Sequence, residues 1–258
     1  MRARPVASAV SLALVAVAAL GACGRSEPGV AAYVGDATYS TDRVDHIYTD
    51  AQSKFHDAVQ GQIAAQAAQS GASPTVEPPR STVTRQDVVD LLVGIDLGKR
   101  VAAEKKIPIS DQVTAEQLES DIQMPASAEF AKLWGEWIDI YGTLSEKLPP
   151  AELSDQAVMA IYQALVKVGK IPGGMSVTQV RQTFGDGGFV RTTTAVSAAL
   201  ADEAKRIGVT VNPRYRPLGV PAVVSTGSGV ILYELPYVDQ DGPVIDLAPS
   251  AGPSAPAQ

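Results

Sequence analysis

The chain contains one cysteine, Cys23, placed directly after an apolar leader, and this limits how the rest can fold. Arg2 and Arg4 precede Val6 to Leu20, a run of apolar and small residues broken only by the hydroxyls of Ser8 and Ser11. A run of this length suits the core of an export signal and is too short to span a bilayer comfortably. An exported body starting at Cys23 has no second thiol, so no disulfide is available within the monomer. Disulfides would otherwise form readily outside the membrane. The body must therefore be stabilised by packing alone. The whole chain has 258 residues, 45% of them apolar, and the 236 from Cys23 onward are enough for a sizeable core.

Leu20-Gly21-Ala22-Cys23 resembles a bacterial lipobox. Small residues precede the one side chain whose thiolate can carry a thioether-linked lipid. The pattern implies that residues 1–22 are a lipoprotein signal peptide and that Cys23 is the lipidation site. The mature chain would then be held on the extracytoplasmic face of the cell membrane by diacylglyceryl and palmitate chains. One acyl chain anchors only marginally, at about 0.8 kcal/mol per buried methylene, so several chains are needed. The net charge of −7 adds no attraction to anionic headgroups. It also argues against nucleic acid as a partner, since phosphate neutralisation needs a basic stripe and nowhere do more than two Lys or Arg residues, as at Lys105-Lys106, stand together.

Residues 23–30 read as a polar tether. Ala31 to Val34 and Ala37 to Tyr39, joined by Gly35-Asp36, read as a hairpin. Ser40 or Thr41 caps a first helix whose apolar positions include Val44, Tyr48, Ala51, Phe55, Ala58 and Ile63. A proline-rich loop over 72–81 follows. Thr84 with Asp87 opens a second helix and Thr114 with Gln117 a third, each as a capping box. The fourth helix, about 126–148, carries Phe130, Trp134, Trp137, Tyr141, Leu144 and Leu148 on one stripe, the strongest amphipathic signal in the chain. Ser154 caps a fifth helix and Ser176 with Gln179 a sixth. A seventh runs from about Phe189 to Ile207 and ends at Gly208. Val220 to Val224 and Val230 to Leu235 form a second hairpin, and residues 239–258 read as a disordered tail rich in proline, alanine and glycine.

These elements predict a mainly α fold. It is a single helical domain of about seven helices over residues 31–238, with a small β-sheet formed by the N- and C-terminal hairpins. An isolated hairpin is marginal in water, so the two are expected to pair with each other.

The sequence offers no catalytic constellation and no metal site. His46 and His56 lie nearly three turns apart on one helix, too far for joint ligation. Gly185-Asp186-Gly187-Gly188 lacks the Lys-Ser/Thr of a phosphate loop. Glu116, Glu119 and Asp121 read as a solvated face. The chain reads as a non-enzyme without a cofactor beyond the covalent lipid on Cys23. Trp134, Trp137 and Tyr141 have two readings: core, or a partly exposed aromatic surface for binding client polypeptide.

The order of these segments is informative. The hairpin Ala-Ala-Tyr-Val-Gly-Asp-Ala-Thr-Tyr-Ser, the helix starting Thr41-Asp42-Arg43-Val44-Asp45 and the later Arg85-Gln86-Asp87-Val88-Val89-Asp90-Leu91-Leu92 resemble the N-terminal domain of SurA-type periplasmic chaperones. The helix exit Lys106-Ile107-Pro108-Ile109-Ser110-Asp111 fits the same pattern. The run from Ala201 to Tyr215 is similar to the end of actinobacterial lipoproteins with this domain. The parvulin isomerase domain of that family has no counterpart here, so isomerase activity is not expected. The resemblance implies a holdase that binds unfolded exported polypeptides. Two other readings remain: an interaction module for one envelope protein, and a ligand-binding lipoprotein. The last would require a defined pocket.

Overall fold

The computed structural model describes residues 27–70, 79–184, 187–226 and 229–237. Cys23 and the leader, residues 71–78 of the proline-rich loop, Gly185-Asp186, the turn at Gly227-Ser228 and the tail lie outside the described residues. The chain runs β1 (Val30–Val34), β2 (Ala37–Ser40), α1 (Thr41–Ser70), α2 (Arg85–Glu104), α3 (Ala115–Ile122), α4 (Glu129–Lys147), α5 (Asp155–Lys167), α6 (Val177–Phe184), α7 (Gly188–Ile207), β3 (Thr210–Val211), β4 (Gly219–Thr226) and β5 (Gly229–Pro236). The fold is mainly α, with strands from both ends of the chain, as the periodicity predicts.

Helix boundaries follow local side-chain chemistry. Ser40 Oγ accepts the Arg43 N–H at 3.1 Å, the Thr84–Asp87 and Thr114–Gln117 capping boxes are both closed, and Ser154 Oγ accepts from Ala157. Each satisfies backbone donors that a helix start leaves open. Gly208 ends α7 in the left-handed region, at φ 76°. A side chain there would be strained, so glycine is the residue that stops this helix.

α2 is the central helix, with apolar side chains buried around most of its circumference. α4 packs closely on it because Gly94 and Gly98 carry no side chain. A Cβ at Gly98 would stand 2.5 Å from Ile140 Cγ2, and one at Gly94 would stand 3.3 Å from the Trp137 ring. α1 behaves differently from its sequence pattern. Only Val44, Ile47 and Ala51 are buried. A helix of its length spans about 45 Å, and its buried residues all fall in its first half. Beyond Phe55 the stripe of Val59 and Ile63 is only half-buried.

The two hairpins do not pair with each other. β1 is the middle strand of an antiparallel β2-β1-β3 sheet, and β4 and β5 form a separate two-stranded sheet. The chain ends do meet, but through β3: Ala32 pairs with Val211, and Asn212 Nδ2 donates to Val30 O at 3.0 Å. This pairing uses the free edge of β1, where the second hairpin was expected. The second hairpin is supported by packing. Val220, Ala222, Tyr233 and Leu235 are buried, and the hairpin lies against α2 and α5.

Candidate functional site

The aromatic stripe of α4 takes the first of its two readings. Trp137 is fully buried, and Trp134 and Tyr141 are each only 7% exposed. Trp137, Trp134 and Tyr141 therefore do not form an exposed client-binding surface. The reason is the packing of α1, α2, α3 and α7 around α4. Trp137 Nε1 donates to Pro221 O at 2.6 Å, tying α4 to β4. The Tyr141 hydroxyl bonds Thr193 Oγ1 at 2.9 Å, and Thr193 bonds the Tyr233 hydroxyl at 2.9 Å. This buried chain joins α4, α7 and β5. Burial also holds the Tyr233 phenol above its ordinary range.

One of the three aromatics does face open space. Trp134 lines a cleft of about 590 Å³, together with Phe55, Val83, Leu91, Ile122, Phe130, Ala164, Val168, Pro221 and Tyr233. The cleft lies between α1, α2, α4, the end of α5 and the β4–β5 hairpin. Its volume falls in the usual range for ligand sites, roughly 300–1,000 Å³, and its walls are mostly apolar as such sites require. Among the described residues the large apolar side chains that stand exposed are Ile109 and Val168, and Val168 is at the mouth of this cleft.

Charged groups sit at the rim: Arg80, Asp87, Asp121, Lys167 and Glu234. Asp87 is held in place by its capping role, with Oδ2 accepting the Thr84 N–H at 2.7 Å and the Thr84 hydroxyl at 2.9 Å. Glu234 on β5 lines the same cleft as Asp87. Partial burial, and then the Asp87 charge, raise its carboxyl above the ordinary value, with Lys167 opposing. Two carboxyl groups so close disfavour being charged together. Gly219 permits the approach of β5: a Cβ there would lie 2.8 Å from Glu234 Cβ.

One turn behind Asp87, Asp90 is fully buried. Its carboxylate accepts the Gly219 N–H and the Gln86 side-chain amide, each at 2.9 Å. Gln86 Nε2 also reaches the carbonyls of Tyr215 and Pro217, at 3.2 and 3.1 Å. Asp90 thus fastens the root of the β4–β5 hairpin to α2. Desolvation pushes its carboxyl up to about 8, against the two hydrogen bonds that favour the charged form. Three separate devices therefore fix the hairpin wall of the cleft: Trp137, the Tyr141–Thr193–Tyr233 chain and Asp90.

Among the described residues, no group of three His, Cys, Asp or Glu side chains is placed to hold a metal ion. His46 lies near Glu129 at 3.7 Å, and His56 is exposed elsewhere on α1. Among the same residues no helix is long and apolar enough to cross a membrane. Sequence reasoning found Trp134 and the α4 stripe but missed Asp87, Asp90, Tyr233 and Glu234 as neighbours of one cleft. Asp90 did carry a signal, because it interrupts the apolar run Val88-Val89-Asp90-Leu91-Leu92. No protein-family model, no curated protein and no solved structure matches the chain.

Proposed function

We propose that this protein is a non-enzymatic, lipid-anchored binding protein of the cell envelope. Its cleft would seat a short apolar segment of a non-native exported polypeptide, a chaperone-like role. The observation that carries this reading is the apolar cleft around Trp134, preformed by walls that are hydrogen-bonded to one another. A preformed site binds with a smaller ordering cost than a flexible one. Half-buried Val59 and Ile63 follow Phe55 at one and two turns along α1, and exposed Val168 also lines the cleft. A linear track of this kind suits a chain better than a compact small molecule. The lipobox-like sequence at Cys23 and the SurA-like order of segments support the envelope setting.

Scarce exposed apolar surface favours a narrower second reading, in which the cleft serves one specific envelope partner. Two measurements on residues 23–258 carrying Cys23→Ser separate these readings. Binding of short apolar peptides should change tryptophan fluorescence, and Trp134→Phe should remove that change. Suppression of aggregation of a reduced, denatured model protein should then follow at several-fold molar excess. Peptide binding without suppression would select the specific partner, and neither effect would overturn both readings. Metabolic labelling with a clickable palmitate analogue tests the anchor: the natural chain should be marked and Cys23→Ser should not.

A further inference from the structure

The rim of the cleft has a chemical preference of its own. Its lining includes Asp87 and Glu234, two carboxyl groups from different elements that stand near enough to influence each other. Asp87 is immobilised by the capping box of α2, and Glu234 is positioned by a strand that Asp90 and Trp137 fasten to the helices. Asp121 adds a third negative group on the α3 side. Lys167 faces Glu234 as a partial counter-charge on an exposed side chain, and Arg80 is likewise exposed to solvent. The rim is thus pre-set for a positive group lodged beside an apolar one. An anionic amphiphile such as a fatty acid would bring its carboxylate against Asp87 and Glu234.

Resting on the reading of the cleft as a polypeptide-binding site, we infer that its occupant is a cationic apolar segment, with large apolar side chains in the cleft and a lysine or arginine paired with Glu234 and Asp87 at the mouth. The ammonium or guanidinium would relieve the crowding of two carboxyl groups and make charge-assisted hydrogen bonds in a partly desolvated place. The apolar walls supply affinity and the rim supplies selection.

The test uses residues 23–258 carrying Cys23→Ser and three peptides with one shared apolar core. The peptides differ only in a flanking lysine, glutamine or glutamate, and binding is read by tryptophan fluorescence. The lysine peptide should bind about tenfold more tightly than the glutamine peptide. Glu234→Gln should erase that preference, bringing the lysine and glutamine peptides to equal affinity for the variant. Lys167→Gln, which removes the opposing charge, should widen it. Opposite shifts from these two substitutions would not arise from a general loss of structure. Equal affinity for the lysine and glutamine peptides would overturn this inference and leave the polypeptide-binding reading intact, as would tightest binding of the glutamate peptide. Displacement of the lysine peptide by a fatty acid more effectively than by the glutamine peptide would likewise overturn it. Failure of all three peptides to bind would overturn the polypeptide-binding reading itself.

Discussion

Asp90 makes a quantitative prediction about stability and pH. Its carboxyl is fully buried and pushed up to about 8, from an ordinary value of 3.8. The folded protein therefore holds this proton more tightly than the unfolded chain. Linkage then fixes the sign: stability falls as pH rises wherever the folded state binds more protons. The protonated form's advantage is complete below pH 3.8, erodes through the intervening range and is gone above about pH 8. Each tenfold difference in proton affinity is worth about 1.4 kcal/mol, so raising the pH from about 5 to about 7.5 should remove about 3 kcal/mol. That is a large share of the roughly 5–15 kcal/mol available to a domain. Asp90→Asn removes the titration. Its carbonyl can still accept the Gly219 N–H, but its amide then faces the Gln86 amide, which is committed to the Tyr215 and Pro217 carbonyls. Losing that bond should cost about 1–2 kcal/mol at every pH. The two stability curves should therefore cross. The variant should be equal or slightly weaker near pH 5, and stronger than the natural chain by about 2–3 kcal/mol near pH 7.5. Urea unfolding followed by tryptophan fluorescence measures both. Glu234, also raised, leaves a smaller slope of the same sign in the variant. A variant that keeps the full slope would refute the assignment to Asp90.

Three other substitutions test the packing. Gly98→Ala should destabilise by about 1–3 kcal/mol despite the better helix propensity of alanine, because its Cβ meets the stiff Ile140 side chain. Gly142→Ala on α4 has open space around it and should gain up to about 1 kcal/mol; urea midpoints moving in the same direction for both would contradict the close α2–α4 contact. Thr193→Val keeps the shape but cuts the bond to the Tyr233 hydroxyl, and should cost about 1–3 kcal/mol in the same unfolding assay. It should also speed amide hydrogen exchange in β5, whereas an unchanged exchange rate would show that the hydroxyl chain does not hold this wall.

Helix starts were legible because their determinants are local. Thr84 with Asp87, Thr114 with Gln117, Ser154 and Gly208 each act on backbone within one turn, so three or four residues of sequence contain the whole cause. Strand partnership has no such local cause. Both hairpins were readable as hairpins, but the partner of β1 depended on Val209-Thr210-Val211, whose two paired residues make a strand too short to announce itself. The length of α1 was readable too. Its lack of cover beyond Phe55 was not, because periodicity records which face is apolar and not whether anything lies against it.

The cleft shows the same limit at the level of a site. Its lining comes from five helices, one loop and two strands spread over residues 55–234, and no spacing rule brings Phe55, Asp87, Trp134 and Glu234 together. What the sequence did contain was the stripe on α4, whose three aromatics are all buried while Trp134 also lines the cleft. Trp137 and Tyr141 are core because their polar atoms are needed to fasten β4 and α7. Trp134 lies one turn earlier on the same stripe, and its ring is part of the cleft wall together with Pro221 and Tyr233 of the hairpin. On the proposed reading, the fastened part of this helix face fixes the geometry in which Trp134 would meet an apolar group. Replacing Trp137 by Phe should therefore weaken peptide binding although Trp137 does not line the cleft, and Pro221, which accepts its N–H and itself lines the cleft, is the residue through which the loss would act. Fluorescence of the remaining Trp134 reads that binding, and an unchanged affinity would mean that the cleft needs no fastening from behind.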